Sequence, residues 1–473
     1  MLWIYPCCYG RLQSKNKSGE YNGLGCRRRN LPTQDHYCVT VLIVIKLSIS
    51  NHTGLRKIAY PALLSSLSGR VRLSISQELK QKMCSTQVVV SQTALRSGAE
   101  AGTYLGRTIR DKLQGAQPDV LIVFASPEYD YSELLATLHD NCQPHILVGC
   151  SSAGEFSGCS TANASASVMA IHSDTMLFHA TLGQGLRTER SEAIQQAAAS
   201  AFTASERPDY PYRCALVLTD ALAGYADDLI HQLTVQTGGT YQLFGGGAAD
   251  DARFQETHVF YGTDSFADAV VILEMLSKKP IGIGVKHGWE PSGNALRVTE
   301  AEGNRIISLN AMPAAEAFEL HAQQNGQVFN RADPLPFFLH NVIGMDTGDD
   351  YKLRVPLVLN NDGSISCAAE VPVGSTVRIM RSSAETASAA AREASQAAIA
   401  GLHGEKHAGS LLFDCAATRL RLGVAFEDEL KAVAETLGSE NFAGCNTYGQ
   451  IARTEGQFSG FHNCTAIVCA IPQ

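Results

Sequence analysis

Three segments of the chain repeat one order of apolar and glycine-rich stretches, and this repeat constrains the fold more than any other feature. The order is an apolar strand, a helix, a second strand, a glycine-containing loop and a closing strand. The first copy covers residues 119–171, the middle copy 215–276 and the last copy 410–471. Strands that alternate with helices predict an α/β fold, because the helices then cover the sheets. We expect the repeated units to form two helix-covered sheets.

A glycine-rich loop follows the second strand of each copy. The loops at 149–156 and 444–451 both obey the pattern G-C-x-[ST]-x-G-[EQ]-apolar, and the middle loop is 245–251. Any one of these loops is explained by a tight strand exit, since glycine permits positive φ and close backbone approach. Three of them favour a shared pocket, because α/β sheets bind ligands at the ends of their strands. The predicted ligand-binding residues are Gly149, Cys150, Ser151, Ser152, Glu155, Gly245, Gly246, Gly247, Asp250, Asp251, Asn446, Thr447, Tyr448 and Gln450.

The first 82 residues differ in charge from the rest of the chain. They carry 13 Lys and Arg against 3 Asp and Glu, whereas the whole chain has a formal net charge of −8. One globular body rarely contains such a boundary, and this segment shows neither helical nor strand periodicity. We therefore expect residues 1–82 to be a non-native or disordered basic extension, with Met83 as the natural start.

Composition argues against several classes of function. The acidic body lacks the concentrated basic face that a nucleic-acid partner requires. Apolar runs such as 41–45 and 120–125 are far shorter than the roughly 20 residues that a membrane-spanning helix needs. No CxxC pair occurs among the 14 cysteines, which argues against a zinc site. These observations predict a cytoplasmic protein without nucleic-acid or membrane partners.

Several motifs resemble those of the FIST family. They are GCSSAGEF, FGGGAADD, GWEPSGNALRVTEAEGNRIISLNAMPAAEAF, DGSISCAAEVPVGSTVRIM, FDCAATR, GCNTYGQIA and FHNCTAIVCAI, in the expected order over roughly residues 115–473. FIST proteins are sensory ligand-binding modules with an N-terminal and a C-terminal FIST domain. They occur in bacterial signalling proteins and in some eukaryotic F-box proteins. The resemblance implies a FIST N-terminal domain at 83–305 and a FIST C-terminal domain at 306–473.

The resemblance also implies a small metabolite as ligand, with an amino acid as one candidate. Glu155 and Asp251 would accept hydrogen bonds from its ammonium group. The family's last loop commonly has Phe and Glu where this chain has Cys445 and Gln450, which reduces the negative charge there. A separate signalling partner, either a histidine kinase or a cyclic-dinucleotide enzyme, would respond to the bound ligand.

Haem is an alternative cofactor. Some FIST proteins are haem-based nitric-oxide sensors, and the stretch 124–130 is similar to theirs. His287, at the end of an apolar strand, is then the candidate ligand to the iron. A single histidine in such a place is more often a hydrogen-bonded structural residue. No C-x-x-C-H sequence occurs, so covalent attachment is excluded.

A catalytic role has less support. Cys150 and Ser151 lie at a sharp strand exit that resembles a nucleophile elbow, but the G-x-S-x-G pattern is not met. A reactive thiol would also need a cationic or histidine neighbour that lowers its pKa. We expect a binding protein rather than an enzyme that uses Cys150.

Overall fold

The computed structural model describes residues 85–201, 207–454 and 459–473. The predicted basic extension, 1–82, lies outside these residues, and so does the predicted start at Met83. In the described part of the chain, no helix is both long and apolar enough to cross a membrane. The α/β class that the repeat predicts is confirmed, since strands alternate with helices in each copy.

The first two units run consecutively along the chain. The first unit consists of β1 (Thr86–Thr93), α1 (Gly98–Lys112), β2 (Val120–Ala125), α2 (Tyr131–Cys142), β3 (Ile146–Ser151), β4 (Glu155–Ser157), β5 (Ser160–Ala162) and β6 (Ala166–Ser173). The second unit consists of β7 (Met176–Gln184), α3 (Arg190–Ala201), β8 (Tyr212–Asp220), a 3-10 turn (Ala221–Ala223), α4 (Ala226–Gln236), β9 (Gln242–Ala248), β10 (Val259–Tyr261), β11 (Asp264–Phe266) and β12 (Ala269–Ser277).

The third unit is interrupted after its first strand, β13 (Gly282–Lys286), by an insertion. The insertion consists of β14 (Glu290–Pro291), β15 (Leu296–Glu302), β16 (Arg305–Leu309), β17 (Met312–Pro313), α5 (Ala314–Gln324), α6 (Leu335–Phe338), β18 (Val342–Asp346), β19 (Tyr351–Arg354), β20 (Pro356–Leu359), β21 (Ile365–Cys367) and β22 (Thr376–Arg381). The unit then continues with α7 (Ala384–Gly401), β23 (His407–Cys415), α8 (Ala416–Leu422), a 3-10 turn (Gly423–Ala425), α9 (Phe426–Leu437), β24 (Phe442–Thr447), β25 (Gln450–Arg453), β26 (Ser459–His462) and β27 (Ala466–Pro472). The predicted domain boundary between residues 305 and 306 stays a prediction.

The units exchange short hairpins in a closed cycle. In each unit the last strand lies between the first and second strands, and the third strand carries a hairpin from another unit. The first unit's hairpin, β4–β5, pairs with β24 of the third unit. The third unit's hairpin, β25–β26, pairs with β9 of the second unit. The second unit's hairpin, β10–β11, pairs with β3 of the first unit. No unit therefore completes its sheet alone.

The expectation of two sheets is wrong. The described residues form three six-stranded sheets, one per unit, and a nine-stranded sheet in the insertion. The repeat identified from the sequence covers only part of each unit, because the first strand and its helix precede the recognisable motif. In the third unit the insertion separates β13 from the strand it pairs with, β27, by 180 to 188 residues along the chain, as the pairs Lys286–Ala466 and Gly282–Ala470 show.

Helix starts follow local chemistry, and the helices cover the outer faces of the sheets. Ser97 and Asp130 cap α1 and α2 by accepting hydrogen bonds from backbone N–H groups, and Ser383 begins α7 with a capping box.

Small residues let α7 lie directly on β13. A Cβ atom at Gly284 would lie only 1.8 Å from the carbonyl oxygen of Ala394.

The inner faces of the three unit sheets share one apolar core. One phenylalanine ring from each unit meets near its centre. The ring of Phe413 lies 5.5 Å from that of Phe124 and 6.3 Å from that of Phe244, centroid to centroid. Edge-to-face aromatic contacts of this kind stabilise a core beyond the burial of area alone. The shared core places the three strand-end loops next to one another.

Candidate ligand-binding cleft

The three glycine-rich loops meet in a ring of backbone hydrogen bonds. In each loop the third residue accepts, through its carbonyl oxygen, from the backbone N–H of the fifth residue of another loop. Backbone groups buried in this way need partners, and the cyclic pattern supplies them with near threefold regularity. The bonds run from Ala249 N to Ser151 O (3.0 Å), from Tyr448 N to Gly247 O (3.0 Å) and from Ala153 N to Asn446 O (2.9 Å).

The leading glycine of each loop serves strand packing. A Cβ atom at Gly149 would lie 1.9 Å from the carbonyl oxygen of Val123, and one at Gly245 would lie 2.1 Å from that of Val217. No side chain fits at either position. These glycines therefore have the structural role of a tight strand exit, and they also allow the three loops to converge. The convergence of the loops is as expected, whereas their role in ligand binding stays a prediction.

Most of the predicted ligand-binding side chains are enclosed beneath the ring. Thr447 donates to Asp414 O and to Gly449 O, and Gln450 donates to Thr447 through its amide. Cys150, which is fully buried, belongs to the apolar core, and its presence beside Cys445 adds to burial in raising the pKa of the Cys445 thiol. The fully buried predicted residues are Cys150, Ser151, Ser152, Thr447 and Gln450.

Glu155 is buried behind the first loop. Only 1% of the residue is exposed, and its carboxyl group accepts hydrogen bonds from Ser152 and, at 2.6 Å, from Ser165. Burial, together with the charge of Asp251, raises its pKa to about 7 against the opposing effect of these two hydroxyl groups. Glu155 is not among the described residues that line the open cleft beside the ring, and Asp251 is the only predicted ligand-binding residue that is.

The two aspartates of the second loop differ in their surroundings, since Asp250 is buried and Asp251 lines an open cleft. Asp250 accepts from the backbone N–H groups of residues 254–256 and from the Tyr448 hydroxyl, so it holds the loop closed. Tyr448 also stacks on Phe254, with 4.5 Å between ring centroids. Asp251 accepts from the Ser126 hydroxyl at 2.8 Å and reaches an open cleft.

This opening, named the first cleft, has a volume of about 790 Å³. It lies beside the loop ring, between the first unit's hairpin and the segment after β23. Its lining residues are Arg96, Glu128, Ala153, Gly154, Thr161, Ala162, Asn163, Ala164, Asp251, Ala252, Ala416, Arg419, Leu420, Gly423, Val424, Phe426 and Glu427.

Arg419 is held in the first cleft by the first unit. Its guanidinium group donates to Ala153 O at 3.0 Å and to Asn163 Oδ1 at 2.9 Å. Gly154 makes room for it, since a Cβ atom at this residue would lie 1.1 Å from Nη1 of Arg419. A guanidinium group has five N–H donors, so donors beyond these two can serve a ligand.

Both signs of charge line the first cleft. Arg96 and Arg419 provide the positive groups, while Asp251, Glu128 and Glu427 provide the negative ones. Glu128 forms an ion pair with Arg253 at the rim. The cleft can therefore hold a ligand that carries opposite charges at its two ends.

Arg96, Arg419 and Asn163 were not predicted as site residues from the sequence. Arg419 closes the FDCAATR motif, which was noted for family resemblance but was given no role. Arg96 and Asn163 lie outside the glycine-rich loops and have no local pattern. The loop motifs predicted the ring of backbone beside the cleft and one of its charged residues, Asp251. The other charged residues of the cleft come from neighbouring segments.

His287 does not fit an axial ligand of haem. Its Nε2 lies 3.0 Å from Tyr351 O and 3.1 Å from Asp350 Oδ1, and its Nδ1 accepts from Trp289 N. Both ring nitrogens are thus engaged, and the space beside the residue is about 10 Å³. The described residues also contain no group of three or more His, Cys, Asp or Glu that could hold a metal ion. His287 has the position of a hydrogen-bonded structural residue.

Family models match most of the described chain. The FIST N domain matches residues 119–312, and the FIST C domain matches residues 291–453. No curated protein matches the chain. The solved structures that match include cyanuric acid hydrolase from A. caulinodans, with 9% identity, a TM-score of 0.32, and coverage of 82% of this chain and 99% of that one. PurLQS from Thermotoga maritima matches with 10% identity, a TM-score of 0.21, and coverage of 82% and 73%. Scores this low carry no argument about function.

Proposed function

The chain belongs to the FIST family, and we propose that it is a sensory protein that binds a small zwitterionic metabolite, such as an amino acid, in the first cleft. FIST domains are associated with sensory signal transduction and small-ligand binding. The observation that supports the proposal most is the position of Arg419, held against Gly154 in a cleft that also contains Asp251.

Arg419 supplies the site for the ligand's carboxylate. The planar guanidinium group binds carboxylates through two parallel hydrogen bonds. Its contacts to Ala153 and Asn163 hold the group before a ligand arrives. Such preorganisation reduces the ordering cost of binding. Arg96 adds a second positive charge at the same cleft.

Asp251 is the better partner for the ligand's ammonium group. It lines the first cleft, whereas Glu155 is enclosed by Ser152 and Ser165. The hydrogen bond from Ser126 holds the Asp251 carboxylate in place. We therefore assign the ammonium contact to Asp251 and an indirect, electrostatic effect to Glu155. The position of Cys150 in the core argues against catalysis through this thiol, and we propose a role in binding.

A thermal-shift screen over amino acids and related metabolites tests the proposal. A ligand at 100 times its dissociation constant adds about 2.7 kcal/mol to the free energy of unfolding. For any ligand found, we expect Arg419→Gln and Asp251→Asn each to weaken binding by about tenfold or more, because each removes a charge-assisted hydrogen bond.

The matched controls are Arg392→Gln and Glu435→Gln, which remove exposed charges from α7 and α9. These variants should bind as the parent protein does. Equal affinity of the parent, Arg419→Gln and Asp251→Asn proteins would place the ligand elsewhere. A screen in which no zwitterion stabilises the protein would reject the ligand class.

A sensory protein of this kind must act on a separate signalling partner. By family resemblance we propose a histidine kinase or a cyclic-dinucleotide enzyme as partner. The activity of a purified candidate enzyme, measured with this protein with and without ligand, tests this step. An enzyme activity that does not change with ligand occupancy would reject that enzyme as the partner.

A further inference from the structure

The near threefold arrangement creates a second opening that corresponds to the first cleft. It lies between the third unit's hairpin and the segment after β8, where the first cleft lies between the first unit's hairpin and the segment after β23. Ala221 directly follows β8 as Ala416 directly follows β23. Phe461 pairs with Ile451 as Thr161 pairs with Phe156, each at the second position of its hairpin.

This opening, named the second cleft, has a volume of about 390 Å³. The insertion forms its outer wall, so three parts of the chain meet there. No basic residue is present among the described residues that line it. Its walls include Ala221, Tyr225, Glu302, Asn304, Glu370 and Phe461.

The charged groups among the described lining residues are therefore both acidic, and the charges of Lys352 and Arg354 interact with one of them, Glu370. Glu302 is already paired, since its Oε2 accepts from Arg305 at 3.2 Å. Glu370 differs, because its Oε2 is buried and accepts no hydrogen bond from any described residue. A buried acceptor without a partner destabilises the protein, because it has lost its hydrogen bonds to water. A donor bound in the cleft would relieve that cost after a small rotation of the carboxyl group, a torsion that has a broad energy minimum.

Tyr225 adds an aromatic surface to the second cleft. The residue is 54% exposed, and the guanidinium of Arg190 covers its ring at 4.2 Å from the centroid. Its backbone has φ of 53°, a conformation that is strained for a non-glycine residue and that is concentrated at functional sites. Alanines 221, 368 and 369 complete an apolar wall beside it.

We propose that the second cleft binds an organic amine, with its ammonium group at Glu370 and its apolar body against Tyr225 and Phe461. The site is separate from the zwitterion site in the first cleft. Because Glu302 and Glu370 belong to the insertion and Tyr225 to the second unit, a bound amine would link the insertion to the body formed by the units.

Isothermal titration with phenethylamine tests the proposal, and phenethyl alcohol is the uncharged analogue of the same shape. We expect saturable binding of the amine and none of the alcohol. Glu370→Gln preserves side-chain shape and should weaken amine binding by about tenfold or more, since a hydrogen bond to a charged group is lost. Tyr225→Ala, at an exposed position, is a second variant and should weaken binding severalfold through loss of the aromatic surface that the apolar body of the amine contacts.

Glu427→Gln, in the first cleft, is the matched control and should leave amine binding unchanged. Absence of saturable binding, or equal binding of amine and alcohol, would overturn the proposal. So would an affinity that depends on Glu427 and is independent of Glu370 and Tyr225, because the amine would then occupy the first cleft. Arg419→Gln separates the two clefts, since it should weaken zwitterion binding by about tenfold or more without affecting phenethylamine binding.

Discussion

Arg419 occupies the space that any side chain at Gly154 would need. The Cβ position of Gly154 lies 1.1 Å from Nη1 of Arg419, and the backbone there has φ of +130°. Arg419, a residue of the third unit, thus contacts the backbone of the first unit directly. The contact connects the hairpin exchange, which is a property of the fold, to the charge that the proposed ligand meets.

Gly154→Ala should therefore disturb both stability and binding. The added methyl group forces Arg419 aside, and the backbone conformation is strained for alanine, at a cost of about 1–3 kcal/mol. We expect a lower midpoint in denaturant unfolding and a loss of ligand affinity similar to that of Arg419→Gln. Gly115→Ala is the control, because Gly115 also has positive φ but no atom lies within 4 Å of its Cβ position. Loss of ligand affinity in both variants would contradict the assigned contact.

The pH dependence of stability should report Glu155. Its pKa is about 7 in the folded protein, against an ordinary value of 4.5. Between pH 4.5 and 7 the folded state keeps a proton that the unfolded state has released, so stability falls as pH rises through this window. Glu155→Gln has no carboxyl group to titrate and therefore lacks this loss of stability. Between low pH and pH 8, its free energy of unfolding relative to that of the parent protein should increase by roughly 3 kcal/mol. Urea unfolding at several pH values measures it.

The exposed control for that comparison is Glu435→Gln, whose stability should follow the parent curve throughout. Parallel curves for the parent and Glu155→Gln would show that this carboxyl group titrates normally in the folded state.

The sequence alone predicted the repeated units and the convergence of their loops, because both leave local patterns. Apolar runs such as 120–125 mark buried strands, and the glycines at 149 and 245 mark strand exits. The direction of a side chain is harder to predict. Glu155 and Asp251 hold equivalent positions in their loops, yet one is enclosed by serines and the other lines the first cleft.

The hairpin exchange could not be predicted for physical reasons. The exchanged strands, such as β4 and β10, have only three residues each, too few for a periodic signal. Their partners lie on other units, so pairing depends on the packing of the whole body. Arg419 reaches the first cleft through this exchange, which explains why its role was missed.

Haemin should not form a stoichiometric complex with this protein through His287. The imidazole is held on both sides by Tyr351, Asp350 and Trp289. We expect that titration with haemin gives no Soret band beyond that of free or weakly associated haemin. His287→Ala should instead lower stability by about 1–3 kcal/mol, since it leaves buried partners without a hydrogen bond. A sharp Soret band in the parent protein that disappears in His287→Ala would contradict this expectation.

The insertion is fastened to the units by an ion pair between the buried Arg354 and the partly exposed Asp227. Arg354 is fully buried, and its guanidinium also donates to Phe461 O and Glu370 O, both at 2.9 Å. Burial opposes ionisation of Asp227, but the positive charges of Arg354 and Lys352 lower its pKa below the ordinary value. The pair therefore joins elements of the insertion, the second unit and the third unit.

Asp227→Asn should destabilise the protein by about 3–5 kcal/mol, because it leaves the Arg354 charge buried without its partner. Asp228→Asn is the matched control on the same helix, where the exposed carboxylate contacts Gln232, and it should change stability by less than about 0.5 kcal/mol. A lowered pKa gives stability that is present above the ordinary pKa and lost as pH falls through the folded one. The difference in free energy of unfolding between the parent and Asp227→Asn proteins, measured in urea, should accordingly become smaller in acid. A difference that is already small at neutral pH would show that the ion pair does not fasten the insertion.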